Sequence, residues 1–210
     1  MTGPADPIAA GAQRRDFTQR LIERFFMREK RDALLPDGGL PAGISVRPYS
    51  GCQHWTITRS LLGLPRTGCY DQDFEQLPFR LLPAPDDEQN NRPSVVEVHP
   101  AVAAWLWCKN CRGKKAIWRY KDKRYEGRDA VRNEMWQIIL EESRPFEWGN
   151  RCTPANGDEF DAAVGYVLGA LYAQGNNGVA ILGDRHTGSF LLPVVPNLMD
   201  MWHEFLAQQG

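Results

Sequence analysis

The sequence is short of most features that name a chemistry at sight. It holds no glycine-rich phosphate loop and no Gly-x-Ser-x-Gly, so a P-loop nucleotide cradle and a serine-hydrolase elbow drop out. Ser, His and Cys are present, but no spacing among them names a nucleophilic triad. No apolar run reaches the length of a membrane span, which removes a membrane partner from the expectation. Met1 to Ala12 has neither the charged start nor the apolar stretch of a secretory leader. The five cysteines are an odd number at irregular spacing, a poor disulfide framework. Reduced thiols and a cytoplasmic location follow as the expectation. Cys108-x-x-Cys111 is the one close pair, whereas structural zinc wants four ligands, so it reads as two cysteines near a helix end. There is no internal repeat, and the net charge of −1 announces no polyanionic partner for the molecule as a whole.

What is present is a core. Hydrophobic residues make up 42% of the chain, with seven Trp and nine Phe, which excludes a disordered protein. A length of 210 residues suits a single domain over 1–210, with 1–12 as a disordered tail. Phe17, Leu21, Phe25 and Leu34 fall near one face of a helix over 14–35, and residues 53–64 fit a shorter one. Residues 65–93 are polar and proline-rich without periodicity, and read as a long surface loop or lid. A strand over 94–99 then runs into a helix from Pro100 to about Trp107. Helices over 128–142, 158–174 and 197–208 follow, with strands over 178–183 and 189–195 joined by a turn. Alternating strands and helices imply an α/β layer architecture.

Two carboxylate signals stand out. In Ser94-Val95-Val96-Glu97-Val98-His99-Pro100, Glu97 sits in the middle of a β-branched strand, where an ionised group is costly unless paired or bound to metal. Val95, Glu97 and His99 share one face of that strand. His99 is a candidate ligand or acid/base, and equally a capping histidine at the strand–helix junction. The second signal is Asp158-Glu159-Phe160-Asp161. Asp158 and Asp161 are three apart and project from one side of a first helical turn. Asp158 alone is explained by capping and the helix dipole. Asp161 lies on the stripe Val164, Leu168, Leu171, Tyr172 and needs a partner of its own. Such carboxylates suit Mg²⁺ or Mn²⁺, and paired ions of this kind hydrolyse phosphodiesters.

Charge is unevenly spread. Lys109 to Arg132 holds ten Lys/Arg against three Asp/Glu, with Trp118, Tyr120 and Tyr125 interleaved. That pattern fits either a surface that holds phosphates and stacks bases or a solvated loop and helix face.

The run Val96-Glu97-Val98-His99-Pro100-Ala101, the pair Lys114-Lys115 with its Arg/Lys-rich sequel, Asp158-x-x-Asp161-Ala162 and Gly188-x-x-Leu191-Leu192-Pro193 together resemble domain-of-unknown-function family 429. The resemblance spans roughly residues 14 to 196. It implies an RNase H-like mixed sheet flanked by helices, related to the Holliday-junction resolvases, and a metal-dependent nuclease acting on DNA or RNA. It implies that Glu97, Asp158 and Asp161 are catalytic residues and ligands of Mg²⁺ or Mn²⁺. It makes Lys114 and Lys115 phosphate-facing, and Arg119, Lys121, Arg124 and Arg128 belong to the same nucleic-acid-binding segment. Members of this fold open with a strand carrying a metal-bridging aspartate. Residues 1–12 do not read as that strand, and Asp6 is an unsuitable substitute between Pro4 and Pro7. The expected fold is therefore N-terminally incomplete. Three explanations fit: a start further upstream, a partner chain that completes the sheet (a homodimer being the simplest case), or a catalytically inactive module that binds nucleic acid or a protein.

Overall fold

The computed structural model describes residues 21–27, 40–41, 43–44, 46, 80–83, 93–113, 116–143, 153–184 and 188–209. They form a mixed α/β structure. In chain order the elements are α1 (Leu21–Met27), β1 (Arg80–Leu81), β2 (Ser94–Val95), α2 (Pro100–Arg112), α3 (Arg128–Glu142), α4 (Gly157–Ala173), β3 (Val179–Asp184), β4 (Gly188–Pro193) and α5 (Leu198–Ala207). The helix expected over 53–64, the tail over 1–12 and most of the 14–35 helix lie outside the described residues.

The predicted strand over 94–99 is shorter as a ladder than its composition implies. Only Ser94–Val95 pairs regularly, in parallel with β1, in the register Arg80↔Ser94 and Leu81↔Val95. Further along, Val98 makes a parallel bridge with Leu191 of β4, and Leu191 N–H donates to the Glu97 carbonyl at 2.8 Å. The extended stretch thus lies between β1 and β4, passing its hydrogen bonds from one neighbour to the other. β1 itself falls within the 65–93 stretch expected to be loop throughout. A two-residue strand has no room for periodicity, so pattern alone could not reveal it. On the other side β4 pairs with β3 antiparallel, from Val179↔Pro193 to Asp184↔Gly188.

Helix α2 is the centre of the core. Val102, Ala103, Ala104, Trp105, Leu106 and Cys108 are all buried, which is apolar burial nearly all round and marks an internal helix. Pro100 opens it, and His99 caps it, Nδ1 accepting from Val102 N–H at 3.4 Å. It runs past the expected end at Trp107 to Arg112, whose side chain, 5% exposed, donates to the Val131 and Ile117 carbonyls and lies 3.2 Å from Glu134, and both Lys109 and Arg112 suit the negative end of the helix dipole. Gly113, at φ 73°, then stops it. α3, α4 and β4 pack around α2. On the opposite face of the sheet, Phe26 of α1 meets Phe190, and Phe25 meets Trp202 edge-on and Phe205 at a tilt on α5.

Among the described residues no helix is long and apolar enough to cross a membrane.

Candidate functional site

The two aspartates stand at the start of α4. The cap there is Asn156, not Asp158: Asn156 Oδ1 accepts from the N–H groups of Asp158 at 3.0 Å and Glu159 at 2.9 Å. Glu159 reaches back to accept from Ala155 N–H at 2.8 Å and from Asn156 Nδ2 at 2.7 Å, a variant of the capping box in which the residue before the cap supplies the backbone donor. Arg132 of α3, buried, fastens the preceding chain by donating to the Pro154 and Ala155 carbonyls at 3.1 and 2.8 Å. With its backbone donors already served by Asn156, Asp158 is released to solvent, its side chain 99% exposed.

Asp161, one turn on, has a side chain only 24% exposed, and both of its oxygens are engaged. Tyr120 Oη donates to Oδ1 at 2.8 Å, and Lys121 Nζ contacts Oδ2 directly. Lys121 Nζ also lies 3.7 Å from Asp158 Oδ1. Burial is the largest influence on Asp161 and pushes its carboxyl above the usual range; Lys121 and the Tyr120 hydroxyl pull it back, and Asp158 adds to the rise. Tyr120 is itself pushed up strongly, by burial first and then by the Asp161 charge. Gly157 makes the approach of Lys121 possible, because a Cβ at that position would come within 2.8 Å of Lys121 Cγ.

Glu97 lies elsewhere. It is half-buried, not sealed in as a core strand would hold it. Its neighbour Val98 faces α4, where a Cβ on Gly165 would touch Val98 Cγ2 at 3.5 Å. Side chains alternate along an extended chain, which puts Glu97 on the opposite face, with His99, whose ring meets Phe190 at 5.4 Å. That is the face covered by α1, not the one covered by α4. Among the described residues no three His, Cys, Asp or Glu gather closely enough to hold a metal ion. As they stand, Glu97, Asp158 and Asp161 do not compose one centre, and the cation between the two aspartates is the ammonium of Lys121.

The basic segment is built on alternation. Trp118 and Tyr120 point into the core at 2% and 1% exposure, while Arg119 and Lys121 point out. Tyr120 packs on Phe160 at 4.8 Å, and Trp118 lies under the Arg112 guanidinium at 5.0 Å. Base stacking on these two rings, one expectation for the interleaved aromatics, is therefore ruled out by their burial. Of the cations, Arg119 lies 3.8 Å from Asp122, and Arg128 Nη1 donates to the Lys123 carbonyl at 2.8 Å with Nε 3.6 Å from Asp129. Arg124 and Lys123 are exposed. Lys114 and Lys115 lie outside the described residues. Cys108 is buried, its thiol pushed up to about 12 by desolvation, and Cys111 is exposed.

Lys123, Arg132 and Asn156 were not singled out by sequence reasoning, and Tyr120 was singled out as a base-stacking ring, not as a partner of Asp161. Asn156 had a usable signal, since Asn followed three residues later by Glu is a capping box. Arg132 had a weaker one, a charge one residue from Val131 on the buried side of α3.

No protein-family model, curated protein or solved structure matches this chain.

Proposed function

We propose that this chain is an RNase H-like module that binds the phosphate backbone of nucleic acid without cutting it, through the edge formed by residues 119–124. The observation that carries this reading is the burial pattern of that edge, alternating from Trp118 to Lys121 and continuing into an exposed turn at Lys123 and Arg124. Trp118 and Tyr120 anchor it in the core, and Arg119, Lys123 and Arg124 are left on the solvent side. Fixed cations on an anchored backbone suit phosphates, which lie at regular spacing and carry no sequence information. The Arg119 contact with Asp122 spans 3.8 Å at an exposed site, so a phosphate can compete for it at little cost. In a fluorescence-anisotropy titration with a short labelled duplex or single strand, wild type is expected to bind at low salt. The combined variant Arg119→Ala, Lys123→Ala, Arg124→Ala is expected to lose that binding while keeping its fold. Equal binding by the two proteins refutes the reading.

The second reading is a metal-dependent nuclease in which Mg²⁺ or Mn²⁺ takes the place of Lys121 between Asp158 and Asp161, with Glu97 joining them only after a rearrangement of the stretch that carries it. It is favoured by one observation: Asp158 and Asp161 already converge on a single cation, that of Lys121. Cleavage of DNA or RNA in Mn²⁺, abolished by Glu97→Gln and by Asp161→Asn with folding intact, would select it over the first.

A further inference from the structure

We propose that Lys121 is the resident cation of the Asp158–Asp161 corner and the residue that positions the 119–124 edge; the acids serve this lysine in place of a metal. This deepens the binding reading, and its stability arms stand without it. Four features meet at one point. Lys121 Nζ contacts Asp161 and lies 3.7 Å from Asp158. The other oxygen of Asp161 is taken by Tyr120, the preceding residue, so consecutive side chains hold one carboxylate. Position 157 is glycine, and a side chain there would strike the Lys121 stem at 2.8 Å from Cγ. The chain before α4 is fixed to α3 by Arg132, so the corner is a fixed wall against which the edge docks. An ammonium held by two carboxylates neutralises them partly and occupies the space where a divalent ion would have to sit.

Gly157→Ala gives the test an opposite sign from the ordinary expectation. Near a helix start, alanine in place of glycine normally raises stability where the backbone conformation allows it. Here it is expected to lower Tm, by about 2–4 °C, because the new methyl displaces Lys121. In the Lys121→Ala background the same substitution is expected to leave Tm unchanged or raise it, the double-mutant signature of a direct clash. Thermal melts of wild type with EDTA or with MnCl₂ are expected to coincide. In nucleic-acid binding, Lys121→Ala should reduce the slope of log K against log salt by clearly more than the about 0.9 that one lost phosphate contact gives. Lys121→Arg should restore most of it. A Tm rise with MnCl₂ that Asp161→Asn removes would overturn the proposal, as would additive effects of Gly157→Ala and Lys121→Ala. If no nucleic acid binds at all, the binding reading fails while the melts still decide the role of Lys121.

Discussion

Replacing Arg132 by Met should be among the most costly single changes on this side of the molecule that leave the apolar core intact. Arg132 is 5% exposed and makes three hydrogen bonds: to the Pro154 carbonyl at 3.1 Å, the Ala155 carbonyl at 2.8 Å and Asp129 at 2.8 Å. Methionine keeps the bulk of the stem, so little cavity forms. The Asp129 contact contributes little, because that side chain is 60% exposed and water serves it. What remains is a charged donor taken from two carbonyls. Pro154 is buried and would be left without its partner, at about 1–3 kcal/mol. Ala155 is exposed, and its bond is worth about 1 kcal/mol once water replaces the guanidinium. The sum is about 2–4 kcal/mol, and at about 2–4 °C per kcal/mol for a chain of this size Tm falls by roughly 4–16 °C. Urea unfolding followed by tryptophan fluorescence measures it. A Met variant within about 0.5 kcal/mol of wild type, the usual range for a neutral surface change, would refute the view that Arg132 ties α3 to the start of α4.

Phe160 is fully buried between Tyr120 at 4.8 Å and Trp136 at 6.3 Å, so Phe160→Ala should cost about 3–5 kcal/mol in the same urea experiment. Thiol labelling of the native protein at pH 8, mapped by mass spectrometry, should modify exposed Cys111 and spare Cys108, whose thiol is held up at about 12; equal labelling would contradict the burial of Cys108. For pH, Asp161 is raised in the folded state, so its stabilising contribution is fully present below the unfolded value of about 3.9 and is lost as pH rises through the raised folded value. Relative to Asp161→Asn, wild type should therefore gain stability as pH falls from neutral to about 4; a relative loss on acidification would mean that Lys121 outweighs burial.

The helices were largely legible because long periodic segments carry their own signal. Residues 128–142 and 158–174 match α3 and α4 to within a residue, and the hairpin of β3 and β4 falls where its apolar runs and turn put it. Of the short strands, β2 falls inside the predicted run over 94–99, whereas β1 was not legible, since a two-residue strand is fixed by its neighbour and not by pattern. On the α4 stripe, Val164, Leu168 and Leu171 are buried as expected, but Tyr172 is exposed at 37%. The candidate site was legible in part. The need of Asp161 for a partner follows from its place on an apolar stripe, and it does have one. Which partner was not legible, because Lys121 lies 40 residues away and reaches it through a loop that no periodicity describes. The same loop hid the fate of Trp118 and Tyr120: aromatics between cations look alike in sequence whether they stack on bases or anchor a core. Glu97 drew notice as a charge among valines, yet alternation beside Val98 carries it to the face away from α4.

An anchored edge of cations that holds a phosphate backbone must show itself in the salt dependence of wild-type binding to a short nucleic-acid duplex. With Arg119, Lys123 and Arg124 each meeting one phosphate, log K should fall linearly against log salt with a slope of about −2.7. Binding that is absent at low salt, or whose affinity does not change with salt, would contradict it.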